Sequence, residues 1–275
     1  MMQHRAKCKP MKIHLLAVSL VAGLIFAQPA HADLQQALEA VRTGNFETAL
    51  GIIRPLADQG EPEAQYYLGL MYRLGTGVDQ NDREAFRLFG LSATQGVAKA
   101  QFELGWMYSR GIGVAKDWIN AIKWFRQAAD KGHANAQYNL GLAYDEGQEV
   151  PRDFAKAFKW YSSAAEQGIA GAQYNLGWFY HKGIHVVENN KVAVKWFRLA
   201  ADQGNASAQA NLAVMYVRGW GTKVDLIEAY KWGGLGSASG NENATKLRDY
   251  VAERMSPEDI ATAEKRIRDW HRSPQ

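Results

Sequence analysis

His181 and His185 stand four residues apart with Glu188 just beyond them. On an unbroken helix that spacing would set two imidazoles on one face, ready for a metal ion. Gly183 lies between them at a position where the chain repeatedly stops a helix. The pair therefore reads as variable turn residues, and neither a metal nor an organic cofactor is expected. Gly75-Thr76-Gly77 and Gly111-Ile112-Gly113 open like dinucleotide fingerprints, but each lacks the third glycine and a preceding strand. No Gly-Lys pair exists to start a phosphate loop. A serine acylated by β-lactams needs a lysine three residues on to activate it. None of the ten serines has one; Thr262 and Lys265 have the spacing with the wrong nucleophile. With no nucleophile and base in register, the chain is not expected to be an enzyme.

Behind these residues lies a strict period. Ala-Gln occurs at 64–65, 100–101, 136–137, 172–173 and 208–209, always 36 residues apart. Leu68, Leu104, Leu140, Leu176 and Leu212 keep the same step, as do Gly75, Gly111, Gly147, Gly183 and Gly219. Within one unit Ala136, Leu140, Ala143 and Tyr144 share one face of a first helix. Asp153 then opens a second helix, whose stripe is Ala157, Trp160, Tyr161 and Ala164. Gly69, Gly105, Gly141 and Gly177 sit inside first helices, where glycine costs roughly 1 kcal/mol against alanine. Their recurrence implies close helix approach under a bulky ring, and the Trp124, Trp160, Trp196 and Trp232 column could supply it.

The run Trp160-Tyr161-Ser162-Ser163-Ala164-Ala165-Glu166-Gln167-Gly168, followed by Ala172-Gln173-Tyr174-Asn175-Leu176-Gly177, resembles the Sel1-like repeat, a relative of the tetratricopeptide repeat. The resemblance extends from Glu61 to Gly240. It implies an all-α fold, a right-handed α/α superhelix (solenoid) of helix-turn-helix repeats used as a protein-interaction scaffold. Some cysteine-rich members of the group carry a β-lactamase label. The only cysteine here is Cys8, so the paired cysteines of those members are missing.

Four parts are expected. Residues 1–32 resemble a cleaved signal peptide: Arg5, Lys7, Lys9 and Lys12 precede an apolar run from Ile13 to Ala27, and Ala30 and Ala32 offer small residues for cleavage before Asp33. That run is shorter than the roughly 20 residues needed to span a bilayer. Residues 33–60 form an N-terminal capping helix pair, 61–240 five repeats of 36 residues, and 241–275 C-terminal capping helices, with Ser256 as an N-cap. The expected place is the periplasm or the exterior, with no stable membrane insertion after cleavage. The formal charge of +4 comes from the four basic side chains of the first segment; beyond it basic and acidic residues balance. Nothing global draws the chain to nucleic acid.

In such superhelices first helices line the concave face, so a protein partner is expected there. The residues offset from the Leu-Gly-Tyr core are Phe102, Trp106 and Ser109 in one unit, and Tyr138, Asn139, Leu142 and Asp145 in the next. Tyr174, Asn175, Trp178 and His181 follow in the third. Aromatic anchors beside amides suit a peptide, since rings bury area and amides pair with its backbone. The same Tyr66 and Trp106 columns would serve equally as packing between repeats. Tryptophans also stack on sugars, so a polysaccharide is a further reading.

Overall fold

The computed structural model describes residues 27–272, with side chains over 32–270. The described residues form fourteen α-helices and no strand. They divide into two compact units, one up to residue 92 and one from residue 93 on, the division falling inside one helix.

The first unit holds α1 (Ala27–Arg42), α2 (Phe46–Asp58), α3 (Pro62–Leu74) and most of α4 (Asp82–Thr94). Leu34, Ala37, Ala49, Ile53, Leu68 and Leu88 meet in its core. The basic and apolar stretch up to residue 26 lies outside the described residues. The expected cleavage point falls inside α1, where Ala32 and Asp33 are exposed; the first core side chain is Leu34.

The second unit continues with α5 (Ala98–Arg110) and α6 (Trp118–Asp130), then α7 (Ala134–Glu146) and α8 (Phe154–Glu166). After these come α9 (Ala170–Lys182) and α10 (Asn190–Asp202), α11 (Ala206–Arg218) and α12 (Leu226–Ala238), and finally α13 (Glu242–Ala252) and α14 (Pro257–Arg272). First helices end on glycines in the left-handed region: Gly111, Gly147, Gly183 and Gly219 have φ of 72°, 74°, 64° and 67°. Second helices start on Asp117, Asp153, Asn189 and Asp225, whose side chains accept a backbone N–H three residues on. Ser256 does the same for Asp259 at the head of α14. Among the described residues no helix is long and apolar enough to cross a membrane.

The Ala-Gln signature has a mechanical cause. The alanines are fully buried, and each glutamine Nε2 donates back to the carbonyl of the residue eight earlier, at the end of the preceding second helix. Each of these carbonyls also accepts the N–H of the glycine three residues on, so the amide adds a second bond that ties a first helix to the end of the second helix before it. Gln167 and Gln203 then donate to the Oε1 of Gln137 and Gln173 at 2.8 Å, each bond joining the two helices of one repeat.

The ring that covers the buried glycines is not the tryptophan column. A Cβ at Gly141 would meet Tyr161 at 2.6 Å; at Gly105 and Gly177 it would meet Phe125 and Phe197 at 2.8 Å. The covering ring is therefore one residue beyond the tryptophan, and Trp124, Trp160 and Trp196 stay half-buried. At the last repeat both partners change together. Gly233 replaces the ring, Ala213 replaces the glycine, and Trp232 turns fully inward. The space opposite Gly233 and Gly234 is taken by Arg248 of α13 and Ile267 of α14.

Candidate functional site

Between α5 and α7 the second unit carries a groove of about 480 Å³, lined by Phe102, Trp106, Ser109, Arg110, Lys116, Trp118, Asn135, Tyr138 and Asn139. Its aromatic wall is held from below. Phe102 packs on Phe125 and Tyr138 on Tyr161, with ring centroids 5.9 and 6.1 Å apart, so each first-helix ring rests on the second helix of its own repeat. Phe102 also stacks on His133 at 4.6 Å and 21°. The His133 Nδ1 accepts the Ala136 N–H at the start of α7, which holds the ring in place. Burial, then the nearby Lys99 charge, push the His133 pKa down, favouring the neutral ring that this bond requires. Burial, then Glu146, push the Tyr138 hydroxyl up, so it stays a neutral donor and acceptor.

Five of the eleven expected partner-binding residues meet in this groove: Phe102, Trp106, Ser109, Tyr138 and Asn139. Ser109 gives little to a partner. It is buried, and its hydroxyl donates to the Trp106 carbonyl at 2.8 Å. Asn139 donates to the Asn135 carbonyl, leaving its own oxygen to accept. Leu142 packs against the core. Asp145 accepts from the Tyr161 hydroxyl at 3.1 Å and faces Arg152 at 3.9 Å; burial and that carboxylate drive the Tyr161 pKa upward. Asn175 lies beside the same hydroxyl.

Tyr174 belongs to a second, smaller hollow of about 290 Å³ with Ser207, Ala210, Asn211, Val214, Asn241 and Asn243. The question of the two tryptophans divides. Trp106 is half-buried against the core, whereas Trp178 is 36% exposed. Trp178, His181 and Trp220 form a surface row, with centroids 5.8 and 5.4 Å apart, and Lys182 lies over Trp178. His181 Nδ1 meets Asn190 Oδ1 at 2.6 Å, while His185 packs on Phe158. The helix ends between the two histidines, so they have separate partners. Thr262 donates its hydroxyl to the Glu258 carbonyl.

Sequence columns did not point to Arg110, Lys116, Trp118 or Trp220. They occupy helix ends and turns, where residue types change from unit to unit. A basic residue at 110 and another at 116, bracketing the Gly111 turn, were the available signal.

The Sel1 repeat model matches residues 62–97, 98–133, 134–169, 170–205 and 206–241. No curated protein matches the sequence. A solved Sel1 repeat protein from Oxalobacter formigenes superposes with a TM-score of 0.74 at 29% identity, over 88% of this chain and 97% of that one. A protective antigen present in uropathogenic Escherichia coli strains, which displays an SLR fold, gives 0.62 at 26% identity over 88% of this chain. This chain spans 60% of that antigen's length. With five consecutive repeats covering well over half of its length, and helix pairs that match these solenoids, the chain belongs to the Sel1 repeat family.

Proposed function

We propose that this protein is a non-catalytic scaffold of the bacterial cell envelope that holds a protein partner on the face made by its first helices. The groove between α5 and α7 carries this reading, because it sets four aromatic rings and two amides around one cleft. Rings fixed by packing lose little entropy when a partner buries them. Export rests on the layout of residues 1–32. A chain starting at Asp33 would keep every core residue of α1 from Leu34 onward.

The test is a cross-linking pull-down from the envelope fraction, comparing the exported chain with Trp106→Ala/Trp178→Ala. Loss of a specific partner from a double variant with an unchanged circular dichroism spectrum supports the reading. A folded variant that keeps every partner removes it. Intact-mass measurement of the exported chain should find Asp33 or a near neighbour at the N-terminus. The mature protein should leave a chromogenic β-lactam untouched. Polysaccharide binding is a second reading, favoured by the exposed row of Trp178, His181 and Trp220. It predicts quenching of indole fluorescence by soluble glycans, lost in Trp220→Ala.

A further inference from the structure

We infer that the occupant of the α5–α7 groove is an extended acidic peptide segment carrying one large apolar side chain. This rests on the scaffold reading above and adds the chemistry of the partner. The lining contains two cations, Arg110 and Lys116, and no acid. Arg110 lies over the Trp106 ring at 5.7 Å, a contact that leaves guanidinium donors for a carboxylate. Two neighbouring acids have partners of their own. Asp117 accepts the backbone N–H and the side-chain amide of Asn120, at 3.0 and 2.7 Å. Asp145 takes the Tyr161 hydroxyl and faces Arg152. Glu103 and Glu146, on α5 and α7, are not part of the lining, and Glu146 acts on the groove only through its nearness to the Tyr138 hydroxyl.

The pairing of two cations is not repeated in every unit: Lys182 keeps the place of Arg110, over Trp178, but Glu188 stands at the place of Lys116. One unit on, the counterpart of Arg110 is Glu146, and the counterpart of Lys116 is Arg152. Arg152 is occupied: it donates to the Asp145 carbonyl at 2.7 Å and lies over Phe154 at 4.5 Å. The hollow around Tyr174 has no charged residue in its lining. A carboxylate entering the α5–α7 groove thus meets two cations beside low-dielectric rings, where pairing is stronger than in open water. The Trp106, Trp118 and Tyr138 rings accommodate an apolar side chain next to it. The Asn135 amide and the Asn139 oxygen suit a peptide backbone, which presents one donor and one acceptor per residue.

The probe is a library of fluorescein-labelled short peptides with several Asp or Glu around a central Leu, Phe or Trp, and an amide-matched Asn/Gln library. Binding is read by anisotropy on the mature chain. The expected result is binding to acidic peptides at least about tenfold above their amide-matched counterparts, weakened by salt. A loss of similar size is expected in Arg110→Gln/Lys116→Gln, as two partly exposed charge pairs allow. Lys265→Gln, exposed on α14 and outside this groove, should leave binding unchanged. Equal binding of both libraries, or an unaffected charge variant, overturns the acidic partner while leaving the scaffold reading in place. The groove itself is tested by Trp106→Ala and by Asn135→Trp, which adds bulk at an exposed position and does not touch the core. If both variants fold and neither reduces binding of either library, the groove is the wrong surface. Absence of binding by every peptide overturns the inference as well.

Discussion

Gln101 and Gln209 each bury a side-chain oxygen without a hydrogen-bond partner, whereas Gln137 and Gln173 do not. The difference lies thirty residues on. Gln137 and Gln173 receive a bond from Gln167 and Gln203; the corresponding residues for Gln101 and Gln209 are Lys131 and Ser239. Lys131 donates to the Gly96 carbonyl instead, a bond that Gln167 makes to Gly132 while also reaching Gln137. Lys131→Gln should therefore supply the missing donor and keep the carbonyl bond, stabilising the fold by about 0.5–1.5 kcal/mol in urea unfolding. Unchanged or lower stability would show that the ladder is not set by this residue. His133 gives a prediction of another kind. Its folded pKa lies below the ordinary 6.5, so the unfolded chain binds the proton more readily. Stability is then complete above that value and falls as pH drops through it toward the lower folded value. His133→Asn should keep the cap, as Asn205 does for Ala208, and flatten the pH dependence below the ordinary 6.5. A wild-type curve no steeper than the variant's would contradict the assignment.

At the scale of the element, helix boundaries were legible because capping residues recur in fixed columns. Asp153 and Gly147 each mark an end by a specific backbone requirement. The covering ring was misplaced by one residue because Trp160 and Tyr161 are adjacent, about 100° apart on a helix, and both fall within a broad apolar stripe. Only the facing helix decides which ring lies over Gly141. The turns show the reverse case, where a departure in sequence has a visible backbone cost. Gly77, Gly113 and Gly221 have φ near 70°, and the same column places Glu149 at 53° and His185 at 63°. A side chain in that region is disfavoured by roughly 1–2 kcal/mol relative to glycine. Glu149 is exposed, at the edge of a hollow that Lys123 and Arg126 also line. Glu149→Gly should raise stability by about 1 kcal/mol and lift the thermal midpoint, net of the added freedom of the unfolded chain. A fall in midpoint would mean that Glu149 contributes a contact worth more than the strain.

For the whole molecule, the repeat array was read from periodicity, while the groove was only half read. Phe102, Trp106 and Tyr138 stand in repeat columns, but Arg110, Lys116 and Trp118 vary between units and become neighbours only through the turn at Gly111. The C-terminal end shows how a repeat array is closed. In a stack whose units contact only their neighbours, the last unit depends on whatever covers its outer face. Here α12 gives up its ring at Gly233, and α13 and α14 occupy the vacated space through Arg248 and Ile267. Arg266 of α14 also pairs with Glu228 at 2.6 Å, and that carboxylate bonds the indole of the buried Trp232 at 3.0 Å. Ile267 and Trp270 join the core of α10–α12. Removing residues 257–271 would expose the glycine face of α12, uncover this apolar cluster and take Arg266 from Glu228, which keeps Arg198 at 3.7 Å. The truncated chain should lose more helical signal than α14 itself contributes, because α12 and α13 fray, and its thermal transition should broaden and fall. Hydrogen exchange locates the effect: protection should drop first in α11–α13 and stay near wild type in α5–α8. Retained protection in α12 would mean that the last repeat is stable on its own packing and that α14 is an appendage.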